Sequence, residues 1–482
     1  MGVLSNLKPE RVFYYFEEIS KIPRGSFNMK QISDYLVNFA KAQGLEWRQD
    51  TSNNVIIKKP AAAGYEKAPT VILQGHCDMV CEKSADSDHD FEKEGLKLLI
   101  EGDNITAKDT TLGADNGIAV AYAMAILEDR KLLHPAIEAV ITTDEEVGLL
   151  GASALDVSDL KGEYLINIDT EEEGKLWVSC AGGLTVTCEL PVTYVEETGT
   201  AFEIVIEGLT GGHSGTEIDK IRANANKLMG QLLFEIKQKT RYSLVEFAGG
   251  LKDNAIPRSA RALLLADLEA KAEIEEAAAK FEQHKRKEYS GTDTGITVKI
   301  TEKGQRTTAA LHFVSLEKVL FLVMNIPDGV QKMSGEIEGL VETSENLGIL
   351  KLGEESCLIT SSIRSSVGSA KMALQEKVQY LVQFLGGTCT VGGDYPAWEY
   401  QKNSRLREIM ERTYEEVFGE KSEVQALHAG LECGLFYEKI PNLDCVSFGP
   451  NMQDVHTTEE RLSISSTERT WQYLLKVLEN IK

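Results

Sequence analysis

The sequence predicts an α/β fold in which a mostly parallel sheet, covered by helices, is interrupted by a large inserted α+β segment. Three observations carry that expectation. Short apolar runs at 70–73, 139–142, 164–168 and 443–448 are separated by stretches of helical character such as 118–127, the pattern of strands buried on both faces. Each run is followed, at once or within a short loop, by acidic or His residues, and ligands of open α/β sheets bind beyond the carboxyl ends of the strands. Between about 184 and 395 the texture changes to alternating strands such as 202–206 and long charged helices such as 274–287. The expected division is 1–184 with 396–482 as one discontinuous domain and 185–395 as an inserted one, since 482 residues are long for a single core.

In chain order, Val12, Phe13, Phe16 and Ile19 fall at helical spacing, and a second helix is expected from a cap at Ser26 to Gly44 through Ile32, Leu36 and Phe39. Asn53-Asn54 reads as a turn into a strand at 55–57, and the run beginning at Thr70 ends in Gly75. Inside the insertion a strand, helix, Gly-rich turn rhythm at 203–215 and 335–348 suggests duplication.

A formal charge of −24 repels phosphate backbones and anionic lipid surfaces, so neither nucleic acid nor membrane is an expected partner. The first residues carry Lys8, Glu10 and Arg11 without an uninterrupted apolar stretch, which fits neither a signal peptide nor a membrane span; Asn6 stands where a myristoylation signal needs Ser or Thr. Eight scattered cysteines are expected as reduced thiols in a cytoplasmic protein. Cys77 and Cys81 flank the strongest motif, but no second close pair completes a thiolate metal site, and both are expected to fill a buried strand end.

The segments that carry chemistry lie at the strand ends. His76 and Asp78 are two residues apart and point to the same side, which suits a metal-ligating His oriented by a carboxylate; a solvated polar strand end would look the same. Asp115 precedes an apolar helix, either as its N-cap or as a rigidly held ligand with two oxygens to share. Asp144, Glu145 and Glu146 follow another strand, where a metal offsets the charge of one acid and leaves a second free as base. Asp169 ends a third strand, with Glu171, Glu172 and Glu173 read as a solvated turn, and His456 follows the last strand. Two His and three carboxylates match a pair of zinc ions sharing one carboxylate, with a bridging water activated for attack, and hydrolysis is the reaction class this predicts.

With these residues in view, the ordered segments GHCDM, TTLGADNG, TTDEEVG, INIDTEEEG and VHTTEE resemble the co-catalytic zinc exopeptidases of the aminoacylase and glutamate carboxypeptidase group. The resemblance covers nearly the whole chain, including SCAGG at Ser179, GGHSG at Gly211, NAIP at Asn254 and HAGLECG at His428. It implies one zinc on His76, Asp115 and Asp169 and another on Asp115, Glu146 and His456, with cobalt or manganese as substitutes. It further implies that Asp78 orients His76 and that Glu145 takes a proton from the bridging water and returns it to the leaving amine. The implied activity is hydrolysis of free dipeptides, including Xaa-His types such as β-alanyl-histidine. The insertion corresponds to a lid that closes for chemistry, in which His213 and Asn254 stabilise the tetrahedral oxygen, Arg364 grips the substrate carboxylate and Gly430 lets backbone approach the substrate. By residue type alone Arg364 reads as a sheet-face salt bridge, and His428, His89, His134, His284 and His312 as structural or exposed. An N-acyl amino-acid deacylase, or a non-catalytic zinc-binding relative, is the rival expectation, and the resemblance leaves a homodimer open.

Overall fold

The computed structural model describes residues 2–482, which form two compact units. The first runs to Cys180 and adds Tyr400–Ala426 and Leu431–Lys482; the second is Ala181–Glu399 with Leu427–Gly430. Set against the expected boundaries, the second unit also takes the residues flanking the insertion and the short Leu427–Gly430 piece.

In the first unit an eight-stranded sheet has the order Glu46–Gln49, Val55–Lys59, Ile137–Thr142, Val71–His76, Tyr164–Asn167, Asp444–Ser447, Lys175–Cys180, Glu423–Leu427. Its four central strands, from Ile137–Thr142 to Asp444–Ser447, pair in parallel and are buried along their whole length. That is why they read as unbroken apolar runs. Val55–Lys59 and Lys175–Cys180 flank this centre antiparallel, so the sheet is parallel in the middle and mixed at its margins. The helix Ala114–Glu128 is buried on every side, from Ile118 through Leu127, and packs between Val71–His76 and the helix Glu10–Ser20. Such a helix carries no amphipathic stripe.

The second helix departs from expectation at its start. It spans Lys30–Gln43 and closes on Gly44 in the left-handed conformation, but Ser26 is not its cap. Phe27 has φ 67° and its N–H donates to Asp144 Oδ1 at 2.6 Å, which bends the chain out of helical geometry there. The Ser26 hydroxyl instead donates to Asp78 Oδ2 at 2.8 Å.

The second unit is a nine-stranded antiparallel sheet with helices on its apolar face. Its topology is a duplication. The succession Tyr194–Glu207, helix Ala225–Lys237, Ser243–Gly249, Ala260–Ala266, helix Lys271–Glu288, Thr297–Leu311 gives a sheet order of fourth, first, third and second strand. The same order arises from Gly182–Pro191, helix Phe313–Asn325, Val341–Leu352, Ser356–Ser365, helix Gly368–Phe384, Thr388–Tyr395. The two repeats join where Ala248 and Gly249 pair with Lys351 and Leu350. The whole first repeat lies between the first strand and first helix of the second. The segments 203–215 and 335–348 are not the equivalent pieces: one leaves the first strand of its repeat, the other enters the second strand.

Candidate metal centre

The carboxyl ends of the parallel strands bring the expected ligands together. His76 ends its strand, with Asp78 two residues on; Asp169 follows Tyr164–Asn167, and Glu145 and Glu146 follow Ile137–Thr142. His76 Nε2 lies 3.2 Å from Asp115 Oδ1 and 3.3 Å from Asp169 Oδ1. His456 Nε2 lies 3.1 Å from the other oxygen of Asp115 and 2.9 Å from Glu146 Oε1. One carboxylate thus faces both imidazoles, and ligand atoms of His76, Asp115 and Glu146 all fall within 4.8 Å of one another, close enough to hold a metal ion.

The support beneath is equally specific. Asp78, fully buried, places Oδ1 3.3 Å from His76 Nδ1 and accepts the main-chain N–H groups of Glu145 and Glu146 at 3.1 and 3.2 Å. Asp115 is not the helix N-cap. Gly113 occupies that position, and the N–H groups of Leu112, Gly113 and Ala114 donate to the buried carboxylate of Glu460 at 2.8 to 2.9 Å. The Asp115 side chain does not cap, because its two oxygens face His76 Nε2 and His456 Nε2 rather than main-chain N–H groups of the helix. Buried Arg24 donates to Cys77 O and Gly113 O and ties the His76 strand end to the Asp115 loop. Cys77 is buried, and burial pushes its thiol up, so it fills space as expected; Cys81 is exposed and does not.

The electrostatics show how strongly negative charge is concentrated in the cluster. Among the described residues the ion-pair partners of Asp115, Asp169, Glu145 and Glu146 are the two imidazoles. Burial opposes protonation of His76, yet Asp169, Asp115 and Asp78 pull its pKa well above the ordinary value. Hydrogen bonds to Asp115 and Glu146 push His456 up to about 11. Burial raises Asp169 to about 6 and holds Glu145 well above the carboxylate range, with Asp169, Glu432 and Glu146 adding repulsion. Closely set buried acids of this kind need positive charge, and a mixed nitrogen and oxygen donor set suits divalent cations such as zinc.

The sequence profile of peptidase family M20/M25/M40 matches residues 72–480. The chain belongs to that family. This M20 peptidase is 34% identical over 483 aligned residues to the cytosol non-specific dipeptidase of Escherichia coli strain K12, covering 100% of this chain and 99% of the relative. Its fold matches the crystal structure of an aminoacylhistidine dipeptidase from Vibrio alginolyticus with a TM-score of 0.94 and 35% identity, over 100% of this chain and 98% of that one. An aminopeptidase from Bacillus cereus, 16% identical with a TM-score of 0.57 over 98% of this chain and 99% of its own, shares the fold.

The remaining expected residues of the M20 chain lie in the second unit. His213 and Asn254 are neighbours: Gly212–His213 pairs with Ala255–Ile256, and Ser214 N donates to Asn254 O at 2.9 Å. Gly211 and Gly212 have φ of 67° and 140°, which explains the glycine-rich turn. His213 Nδ1 accepts N–H groups from Gly215 and Thr216 at 3.2 Å each, which puts the ring proton on Nε2. Burial and then the charge of Arg364 lower the pKa of His213, keeping it neutral. Arg364 is not a sheet-face salt bridge; its Nη1 donates to the Tyr395 hydroxyl at 2.8 Å. A Cβ at Gly430 would come within 2.8 Å of the Tyr395 ring. His428, Nε2 2.7 Å from Ser344 Oγ, is buried and pushed down to about 4 by burial and Arg364.

Glu460, Tyr395 and Glu432 carried no assignment in the sequence. Glu432 lies fully buried, accepting from Thr142 Oγ1 at 2.6 Å and from Gln74 Nε2, and Gln74 in turn accepts from Asn167 across the parallel strands. Glu460 and Glu432 both stand inside quoted motifs, yet only the fold reveals which main-chain and side-chain groups they hold. Glu173 also differs from a solvated turn residue, forming a two-pronged pair with Arg469 at 2.6 Å.

Proposed function

We propose that this chain is a metallo-dipeptidase that hydrolyses the peptide bond of free dipeptides, Xaa-His types such as β-alanyl-histidine among them. The observation that carries the reading is Asp115, whose two oxygens face separate imidazoles, with the Glu145 carboxylate beside them at a longer distance, 4.0 Å from His76 Nε2. Likeness over the full chain to two dipeptidases favours this substrate class over N-acyl amino acids. The first unit is read as the catalytic domain and the second as the lid.

His76, Asp115 and Asp169 would hold one divalent metal, and Asp115, Glu146 and His456 a second; zinc fits the donors, with cobalt or manganese as substitutes. Bound there, the metals supply Lewis-acid polarisation and make a water acidic enough to lose a proton near neutral pH. Asp78 Oδ1, 3.3 Å from His76 Nδ1, favours a proton on that nitrogen, which would leave the Nε2 lone pair for a metal held with Asp115 and Asp169. Glu145, its carboxylate 4.0 Å from His76 Nε2, takes the proton of the attacking water and returns it to the leaving amine. The neutral His213 offers Nε2–H, and Asn254 its amide, to the oxygen that becomes anionic as water adds. Arg364 binds the substrate carboxylate, and Gly430 leaves room beside it.

No helix among the described residues is long and apolar enough to cross a membrane, and the net charge disfavours nucleic acid. Likeness over the full chain to a cytosol dipeptidase supports a cytoplasmic enzyme on small peptides. The test is Glu145→Gln. It should keep metal content close to wild type and lose roughly a hundredfold to ten-thousandfold in turnover of a free dipeptide. Near-normal turnover removes Glu145 as base, and turnover of an N-acyl amino acid faster than any dipeptide replaces the substrate class.

A further inference from the structure

Arg24 is a long cationic side chain lying wholly inside the first unit, 2% exposed. Its hydrogen-bond acceptors are main-chain carbonyls. Nη1 donates to Cys77 O at 3.1 Å and Asp78 O at 3.3 Å, Nη2 donates to Gly113 O at 2.5 Å, and Nε makes no hydrogen bond. Burial works against the charge, while groups nearby, Glu460 and Asp78 among them, work for it. Neutral carbonyls compensate a buried cation less fully than a paired carboxylate does, so stability alone is a poor reason to keep an arginine here.

What the guanidinium joins is specific. Cys77 and Asp78 directly follow His76, and Gly113 stands two residues before Asp115, so one planar group spans the two segments whose ligands face each other at 3.2 Å. The N–H of the same Gly113 donates to Glu460 at 2.9 Å, which leaves the Asp115 loop held by a cation on one side and an anion on the other. Room for the group is built in. A Cβ at Gly113 would come 2.6 Å from Nη2, and one at Gly117 would come 2.8 Å from it. The residues after Arg24 extend the same attachment, Gly25 bridging in parallel to Met79 and Ser26 donating to Asp78.

We infer that Arg24 is a positioning residue of the metal centre, a fork that fixes the spacing of His76 and Asp115 through the carbonyls beside them. This rests on the reading that these two residues, with Asp169, hold one of two metal ions. Lysine in place of Arg24 keeps the charge but supplies a point donor where two separate segments need a planar fork. Because Arg24 acts through main-chain groups and not on the reacting atoms, its loss appears in metal affinity and not in the turnover of loaded enzyme.

The experiment measures both zinc dissociation constants by competition with a chromophoric chelator in wild type, Arg24→Lys and Gly117→Ala, with urea unfolding of each metal-free chain. Gly117→Ala keeps the arginine and sets a methyl group against Nη2, at a helical position where alanine is favoured. Each variant should fold without metal, bind one ion roughly ten- to a hundredfold more weakly and the other with a smaller loss, and recover kcat to within about threefold of wild type once zinc saturates both sites. Unchanged dissociation constants in a folded variant overturn the assignment and leave Arg24 a structural residue. A kcat that stays low at saturating zinc overturns it as well, because the defect then lies outside metal binding. If Arg24→Lys does not fold, Gly117→Ala decides by the same constants. A wild-type chain that binds fewer than two ions overturns the two-metal reading, and the Arg24 assignment with it.

Discussion

Asp115 is the residue through which the two imidazoles of the cluster are coupled, one to each carboxylate oxygen. Asp115→Ala should therefore lower occupancy for both metals, whereas Asp169→Ala, whose carboxylate faces only His76, should mainly affect one. Metal analysis after dialysis separates the two, and two tightly held ions in the Asp115 variant would exclude the shared-ligand arrangement. Glu460 is expected to matter almost as much without touching any proposed ligand side chain. Replacing it by Ala strands three buried N–H groups at the helix start, which should lower stability by about 2 to 4 kcal/mol and weaken metal affinity through the Asp115 loop. Urea unfolding with and without metal measures both effects. His76, Glu145, Glu146 and Asp169 were legible in the sequence because each ends an apolar run, so local context announces them. Glu460 and Tyr395 were not, because their partners are distant in the chain and only the fold brings them into contact.

At the scale of elements, the parallel strands were legible for the same reason that they are buried, and the buried helix Ala114–Glu128 was found by its unbroken apolar content. Ser26 shows where such reading fails: a Ser before a helical pattern looks like a cap, and only the left-handed Phe27 and the demand of Asp78 for a donor reveal its other use. The duplication leaves only a partial trace in the sequence, whose rhythm at 203–215 and 335–348 marks non-equivalent segments, because repeats sharing topology need not share turn composition. The seam between the repeats holds a titratable group. Asp328 Oδ1 accepts from Leu347 N at 2.9 Å in the second repeat and from the Asn224 side chain at 2.8 Å, and Asn224 caps the first helix of the first repeat. Burial pushes Asp328 up to about 6. Since its folded pKa lies above the unfolded value, the native state binds the extra proton, and the stabilisation present below about pH 4 fades as pH rises through 6. The second unit should lose on the order of 2 to 3 kcal/mol from this group between pH 4 and 7. Asp328→Asn, which can accept the same N–H, should flatten that slope in denaturant unfolding curves, and an unchanged slope would assign the pH dependence elsewhere.

For the molecule as a whole, the second unit has its own apolar core, and its entry and exit strands lie side by side, with Gly183 opposite Tyr395. A segment whose ends meet in this way can fold without the chain on either side, so residues 181–399 expressed alone should unfold cooperatively. A non-cooperative transition would show that the core needs the first unit or the Leu427–Gly430 piece. The broad division was legible from the change in texture along the chain, while Leu427–Gly430 was not, being too short to carry a compositional signal. The nesting of one repeat inside the other also sets a schedule for synthesis. The strand Gly182–Pro191 leaves the ribosome before the entire first repeat, yet both strands that flank it in the sheet, Ser356–Ser365 and Thr388–Tyr395, are made after that repeat is complete. Roughly 165 residues separate Pro191 from Ser356, so at about 5 to 20 residues per second the strand waits on the order of 8 to 30 s with both edges bare. During that interval the nascent chain presents an unpaired β-edge carrying Leu184, Val186 and Leu190, a natural contact for holding chaperones and a hazard when polysomes crowd.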